Sequence, residues 1–271
     1  KVTTHPQKLI EPTTPILKLT RLGNRVLDFR VLVVHDGQEV LVKAVGEGRS
    51  NRMRDYGWIV DITSGETVWT MKYRNTRHAG GAQKNRIASE KLFLLPGIYL
   101  VYFKTDGVHS YPNWNSTPPD NPEEWGISIY AQNHQQKNSL LVYQRLTDIP
   151  GYVAQILGDR NSLRREVSFS LKEDAEILIY AQGEGFNDEM YDYGWIEDQT
   201  TRNVIWLMEY KKTNHGGGSR KNRIMSEKIN LPAGNYILHY ETDNSHAMNR
   251  WNSPPPDDPL NYGVTIIKTK K

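Results

Sequence analysis

The feature that most constrains this chain is a tandem repeat. The segment Asp55-Tyr-Gly-Trp-Ile59 recurs 137 residues later as Asp192-Tyr-Gly-Trp-Ile196. No gap is needed to align the two halves from about residue 26 to residue 130. A repeat of this length indicates a duplicated domain and not the short unit of a solenoid. The same offset relates Lys84-Asn-Arg86 to Lys221-Asn-Arg223 and Trp114-Asn115 to Trp251-Asn252.

The repeat predicts two domains, which we call repeat 1 (17–132) and repeat 2 (141–271). Residues 133–140 lie in a polar, aperiodic stretch that is typical of a linker. Residues 1–16 contain three prolines and predict an extended arm. This stretch contains no apolar core of the kind that a signal peptide needs, so we expect no signal peptide in the sequence as given.

The fold class follows from short β-rich runs separated by turn residues. In repeat 2, seven runs combine alternating hydrophobicity with β-branched or aromatic residues, and no segment shows a sustained helical period. We therefore predict an all-β chain of two tandem antiparallel β-sandwich domains, jelly-roll-like, with about seven strands each. The seven runs are Glu166–Leu171, Glu176–Gln182, Tyr193–Asp198, Val204–Tyr210, Arg223–Leu231, Asn235–Thr242 and Tyr262–Lys268.

The connections between these strands alternate between tight turns and long loops. In repeat 1 the long connections cover about 46–55, 74–85 and 106–125. If successive strands alternate in direction, all three long loops lie at the same end of the domain. Because rigid β-domains present binding residues on such loops, we expect this end to carry the function.

The second long loop supplies the first set of candidate ligand-binding residues. Its paired glycines permit a close backbone approach, and its lysine and arginine donate hydrogen bonds that suit a carboxylate, sulfate or phosphate group. The alternative is that the glycines only shape a turn and that the arginine pairs with a neighbouring acid such as Asp106. The candidates are His78, Lys84 and Arg86 in repeat 1 and His215, Lys221 and Arg223 in repeat 2.

The third long loop supplies the second set. A loop of about twenty residues without secondary structure is usually functional or disordered, and its tryptophan and prolines argue against disorder. One interpretation is an aromatic platform for a sugar ring or a peptide, and the other is an Ω-loop held by its own tryptophan. The candidates are Asp106, His109, Trp114 and Asn115, with Asp243, His246, Trp251 and Asn252.

A metal site is a weaker hypothesis. Two imidazoles and a carboxylate suit zinc, but their spacing fits no recognised metal motif, and a histidine beside an aspartate is more often a hydrogen-bonded pair. The candidates are His78, Asp106 and His109, with His215, Asp243 and His246. Glu47 and Glu184, near the same end, are the carboxylates that could act in acid–base catalysis. Ser110 follows His109, but its counterpart is Ala247, which argues against a serine nucleophile shared by both repeats.

Composition excludes several classes of protein. The formal net charge of +3 is too small to indicate nucleic-acid binding. The absence of cysteine excludes disulfides, thiolate catalysis and cysteine-ligated zinc. No apolar run approaches the roughly 18 residues of a membrane-spanning helix. We expect no cofactor.

The repeated motifs resemble a domain found in tandem in predicted exported bacterial proteins, for which no activity is assigned. The resemblance rests on Gly-Glu-Gly, Asp-Tyr-Gly-Trp-Ile, Thr-x-His-x-Gly-Gly, Lys-Asn-Arg and Pro-Pro-Asp-Asp-Pro, and it covers repeat 2 best, at about 163–267. Repeat 1 departs from it at Arg49–Arg54, where repeat 2 has Phe186–Tyr191. The Leu-Pro-Ala-Gly-x-Tyr strand entry is loosely similar to β-sandwich modules appended to secreted bacterial peptidases (pre-peptidase C-terminal-type modules).

This resemblance implies an extracytoplasmic protein, periplasmic or on the cell surface. Together with the loops, it leads us to expect a non-catalytic protein that binds a glycan, a peptide or another surface protein, or that serves as a structural part of a surface assembly. Two linked weak sites would gain avidity. The alternative is a metal-dependent hydrolase that uses the His/Asp cluster.

Overall fold

The structure is a computed structural model that describes residues 14–131 and 138–269. Most of the arm predicted at 1–16 and of the linker predicted at 133–140 lies outside these ranges. The described chain is all-β, as the sequence predicts, and its helices are single 3-10 turns. Those turns are Tyr73–Asn75, Pro122–Glu124, Leu146–Asp148 and Tyr210–Lys212. None of the described helices has the length and apolar character needed to cross a bilayer.

The first eleven strands form two sheets. One has the order β1-β10-β3-β8-β7, with β4 paired to β3, and the other has the order β11-β2-β9-β5-β6. These strands are β1 (Leu17–Thr20), β2 (Leu27–Val34), β3 (Gln38–Arg49), β4 (Arg52–Met53), β5 (Tyr56–Asp61), β6 (Glu66–Thr70), β7 (Arg77–His78), β8 (Asn85–Leu94), β9 (Gly97–Lys104), β10 (Gly126–Ala131) and β11 (Leu140–Tyr143).

The other nine strands form a single sheet. Its path is β12-β20-β14-β15-β19-β13, with β16 paired to β15 and with β18 paired to both β14 and β17. These strands are β12 (Tyr152–Leu157), β13 (Arg164–Leu171), β14 (Ala175–Phe186), β15 (Glu189–Asp198), β16 (Val204–Leu207), β17 (Asn214–His215), β18 (Asn222–Leu231), β19 (Gly234–Glu241) and β20 (Gly263–Lys268).

All seven strands predicted for repeat 2 are present, within a few residues of the expected ends. The structure adds the two-residue strand β17 and the edge strand β12, which pairs antiparallel with β20. Ala154 and Ile156 of β12 are buried and alternate with partly buried neighbours. In the sequence, Tyr152, Val153 and Ile156 supply the aromatic and β-branched residues that favour a strand.

The backbone divides into two compact units. The first contains the described residues up to Gly57, together with Thr70–Gly97 and Val101–Val142, and the second contains Trp58–Trp69, Ile98–Leu100 and the described residues from Tyr143 onward. In the second unit, the hydrophobic core draws side chains from both ends of the sheet path. Ile156 of β12 and Phe169 of β13 belong to it together with Leu238 of β19.

The central strand of each repeat positions the loop residues. β3 pairs with β8 so that Glu47 lies opposite Asn85, and β14 pairs with β18 so that Glu184 lies opposite Asn222. Each pair therefore lies where β8 or β18 begins, directly after the second long loop. Gly46 and Gly183, one residue earlier, allow a close approach, because a Cβ atom at either position would overlap the backbone oxygen of Asp55 or Asp192.

Candidate functional site

A buried histidine–asparagine pair links the second and third predicted long loops in each repeat. His109 Nε2 lies 2.6 Å from Asn85 Oδ1, and His246 Nε2 lies 2.6 Å from Asn222 Oδ1. Asn85 Nδ2 donates to the carbonyl oxygens of Gly80 and Thr117. Because the amide nitrogen is used in this way, the asparagine oxygen accepts and the histidine Nε2–H donates.

The two histidines are held in an uncommon backbone conformation. His109 and His246 both have a φ of 57°, in the left-handed region. Both are fully buried. Burial, followed by the charge of Lys84 or Lys221, lowers the pKa of each imidazole to about 4. The rings are therefore neutral near pH 7, and each holds the third loop in place through its hydrogen bond to the asparagine.

The candidate tryptophans pack against these histidines. The Trp114 ring meets His109 edge to face at 5.2 Å and Trp125 at 5.0 Å. The Trp251 ring meets His246 at 4.8 Å in the same way. Such edge-to-face contacts contribute about 0.5–1.5 kcal/mol beyond area burial. Both tryptophans are half-buried, so part of each ring fixes the loop.

The paired glycines lie directly against the third loop. Gly80 and Gly81 have φ values of 84° and 62°, and Gly217 and Gly218 repeat them at 84° and 60°. A Cβ atom on Gly81 would overlap the carbonyl oxygen of Pro118. The glycines therefore allow the second loop to contact the Pro-Pro-Asp segment of the third. Their role is close backbone packing as well as turn formation.

The candidate arginines bond within their own loop. Arg86 donates to Thr76 Oγ1 at 2.9 Å and to the Thr76 carbonyl at 2.7 Å, and its guanidinium lies 4.5 Å from the centre of the Tyr73 ring. Arg223 makes the equivalent bonds to Thr213. The expected alternative partner, Asp106, is therefore replaced by a threonine.

The exposed histidines each form a hydrogen bond within their own turn. His78 lies opposite Arg86 in the β7–β8 pairing, and its Nε2 lies 3.1 Å from the carbonyl oxygen of Ala82. His215 Nε2 lies 3.0 Å from the carbonyl oxygen of Ser219.

Three carboxylates gather beside the lysine in each repeat. Glu47, Asp55 and Asp106 each place an oxygen within 4.8 Å of the others, and Glu184, Asp192 and Asp243 do the same. Within residues 14–131 and 138–269, the groups of three potential metal ligands consist of these carboxylates and include neither His78 nor His109. Carboxylates alone suit a hard cation better than zinc.

The chain supplies its own cation at this cluster. Lys84 Nζ lies 3.2 Å from Glu47 Oε1 and donates to Asn115 Oδ1 at 2.7 Å, and Lys221 makes the same two contacts with Glu184 and Asn252. The side chains of both lysines are only 18% exposed. The candidates Lys84 and Asn115 therefore join the second and third loops to the end of β3.

Asp55 and Asp192, like Asn85 and Asn222, are not among the candidates that the sequence singles out. Asp55 Oδ1 accepts a 2.7 Å hydrogen bond from the backbone nitrogen of Asp106, and Asp192 Oδ1 accepts a 2.8 Å bond from that of Asp243. Burial raises the pKa of each of these two carboxyl groups to about 7. The signal was present, because both residues open the repeated Asp-Tyr-Gly-Trp-Ile motif.

The first predicted long loop is in fact a tight hairpin. β3 continues to Arg49, and a two-residue turn at Ser50 and Asn51 leads into β4. Both turn residues have positive φ, 51° and 62°, which is the geometry of a type I′ turn. Asn187 and Asp188 repeat it with 52° and 66°. We call 49–54 and 186–191 the hairpin tips.

The tips differ chemically although their backbones match. The tip of repeat 1 carries the exposed residues Arg49, Arg52 and Arg54. The tip of repeat 2 carries Phe186, which is 46% exposed, and Tyr191, which is 38% exposed. Repetition is therefore strongest in the loop interior and weakest at this exposed surface.

The chain matches no known family model, and a comparison with curated proteins finds no match.

Proposed function

We propose that this chain is a non-catalytic, extracytoplasmic binding protein built from two tandem β-sandwich repeats. Each repeat would bind a glycan, a peptide or another surface protein through the end that carries its hairpin tip and long loops. The extracytoplasmic location rests on the sequence resemblance.

One observation carries the binding proposal. In both repeats the repeated polar side chains hold the loops together, while the neighbouring hairpin tips are exposed and chemically different. His109, Asn85 and Lys84 are largely withdrawn from solvent and bonded to one another's loops. A rigid loop framework with different exposed tips is typical of binding scaffolds.

The framework changes which residues we expect to contact a ligand. Among the earlier candidates, Asn115, Asn252, His78 and His215 are exposed. His109 and His246 are buried and act through the loops that they position. The tips at 49–54 and 186–191 join the exposed candidates as the proposed contact surface.

A direct test is a binding screen of the full chain against dextran, xylan, polygalacturonate and a peptide library. We expect at least one probe to bind. We also expect substitution of the responsible tip to weaken binding while leaving the unfolding midpoint unchanged. Phe186→Ala with Tyr191→Ala serves for repeat 2. Unchanged binding after substitution of both tips, or no binding to any probe, would contradict the proposal.

The carboxylate clusters favour a second candidate, a metal-dependent hydrolase. Against it, Lys84 and Lys221 already place a positive charge at each cluster. Metal analysis of the purified protein separates the two candidates, because a hydrolase of this kind would hold stoichiometric metal and lose activity with a chelator.

A further inference from the structure

The hairpin tip of repeat 1 places like charges in direct opposition. Arg49 and Arg52 are cross-strand partners in the β3–β4 ladder. Like charges opposite each other destabilise a strand pair. Since the type I′ turn fixes the register, the two side chains cannot separate by slipping along the ladder. Such a local conflict is expected where an external partner neutralises the charge.

These arginine charges have no ion-pair partner among the residues that the structure describes. Within the described ranges 14–131 and 138–269, the guanidinium groups of Arg49, Arg52 and Arg54 form no ion pair. The charge of Arg54 does reach Glu47, where it slightly offsets the upward shift that burial imposes on the pKa of that carboxyl group. The other two arginines are free to bind an external anion.

The three arginines border an open depression of about 620 Å³, within the usual size range of small-molecule sites. Its lining combines guanidinium donors with carboxylate acceptors and one hydroxyl group. The lining residues are Glu47, Arg49, Ser50, Arg52, Arg54 and Asp106. A ligand that satisfies this surface must present anionic groups to the arginines and hydrogen-bond donors to the carboxylates.

An acidic sugar has both kinds of group. Its carboxylate or sulfate accepts the paired N–H groups of a guanidinium, and its hydroxyls donate to Asp106, which is the less buried of the two acids. A run of acidic residues offers carboxylates with donors on the backbone, and it lacks the hydroxyl groups that stand beside each acid group of a sugar. A nucleic acid needs a more extended basic surface than a chain of net charge +3 indicates.

The cluster of three arginines is present in repeat 1 and has no counterpart in repeat 2. At the same positions of an equivalent hairpin, repeat 2 has Phe186, Glu189 and Tyr191. The two hairpins therefore share a backbone and differ in charge.

We propose that the hairpin tip of repeat 1 binds the acid groups of an anionic polysaccharide. This inference rests on the proposed binding function and specifies its ligand class for one repeat.

The test measures binding of the full chain to polygalacturonate, dextran sulfate, neutral dextran, poly-L-glutamate and double-stranded DNA at physiological salt. The principal variant grafts the residues of repeat 2 onto repeat 1, as Arg49→Phe, Arg52→Glu and Arg54→Tyr. Repeat 2 supports these residues on the same hairpin, and an unchanged unfolding midpoint verifies the fold. Lys91→Gln with Lys172→Gln and Lys228→Gln, which removes three exposed positive charges outside the long loops and the hairpin tips, is the matched control.

We expect the wild type to bind polygalacturonate, dextran sulfate or both more tightly than the other three probes. The two acidic arms then report whether carboxylate or sulfate is preferred. The graft should weaken this binding roughly tenfold or more, as loss of charge-assisted hydrogen bonds implies. The control should bind like the wild type. Replacement of all three arginines by lysine should give intermediate binding, because the charge remains but the planar fork is lost.

Equal binding by the graft and the wild type would overturn the inference, as would equal or tighter binding of poly-L-glutamate or DNA. If the wild type binds neutral dextran or a peptide but neither acidic polysaccharide, the inference fails while the proposed function stands. If it binds nothing, both fail.

Discussion

The carboxylate of Asp192 accepts a 2.7 Å hydrogen bond from the Tyr262 hydroxyl, whereas Asp55, its counterpart in repeat 1, accepts a 3.2 Å bond from the Trp125 indole nitrogen. Each aspartate also caps a backbone nitrogen in the third loop. The buried acid therefore accepts a hydrogen bond from a hydroxyl group, which can also accept, in repeat 2. In repeat 1 it accepts one from an indole N–H, which can only donate. This difference makes the two positions unequal towards substitution.

Asp55→Asn should cost more stability than Asp192→Asn. In repeat 1 the new amide group would face the Trp125 N–H, which can only donate, whereas the Tyr262 hydroxyl can accept from an asparagine. We expect a difference of about 1–3 kcal/mol in the free energy of unfolding, measured by urea titration. Equal losses in the free energy of unfolding at both positions would show that Trp125 and Tyr262 do not determine the effect of the substitution.

The buried aspartates should make stability depend on pH. The pKa of Asp192 is about 7 in the folded state and about 3.9 in the unfolded state, so the folded protein holds an extra proton between these values. Its contribution is fully present below pH 4 and is lost as the pH rises to about 7. The wild type should therefore lose stability relative to Asp192→Asn over this range, by up to about 1.4 kcal/mol per pH unit.

The comparison with Asp192→Asn is needed because the histidines make stability depend on pH in the opposite direction. The pKa of His246 falls to about 4, so its contribution is lost as the pH falls from about 6.5 towards 4. The histidine is present in both proteins and largely cancels in the difference. A difference in stability that stays constant from pH 4 to pH 7 would contradict the assignment.

The imidazoles of His109 and His246 should remain neutral well below the usual range. Protonation would charge a ring that is fully buried and close to Lys84 or Lys221. We expect their ring proton resonances to be unchanged between pH 8 and pH 5.5, as followed by NMR. His109→Gln and His246→Gln would assign the signals. A midpoint near pH 6.5 for either ring would show that it is solvated.

The second glycine of each pair should not tolerate a side chain. Gly218 has a φ of 60°, and a Cβ atom there would overlap the carbonyl oxygen of Pro255. Gly218→Ala should therefore cost about 2 kcal/mol or more, seen as a lower midpoint of thermal unfolding.

A matched control stands two residues earlier. Gly216 has ordinary backbone angles, and the nearest atom to an added Cβ lies 3.5 Å away. Gly216→Ala should change stability by less than about 0.5 kcal/mol. Similar losses in the two variants would mean that the contact between the loops is not specific to Gly218.

The strands were largely predictable because their signals are local. Alternation within Glu176–Gln182 and the turn at Pro232-Ala-Gly234 depend on neighbouring residues, and the corresponding strands form where expected. The sequence predicts a long loop at about 46–55, and the hairpin at 49–54 lies within it. Its turn residues, Ser50 and Asn51, are not the Asn-Gly pair that marks a type I′ turn most clearly.

The candidate site was only partly predictable. Repetition identified His109, Lys84 and Trp114 as candidates, but it could not separate residues that hold the loops from residues that face solvent. Asp55 ends the first predicted long loop, and its role was not predictable, because its partners, Asp106 and Trp125, are 51 and 70 residues away.

By itself, the sequence determined that the chain has two copies of one pattern, where most strands lie and which residue types the loops contain, since each of these depends on residues close together or on a simple offset. Only the tertiary structure decided which loop side chains are buried. Burial depends on contacts between distant segments. Those contacts bury His109, whose hydrogen bond holds the loops together, and they leave Arg49 exposed.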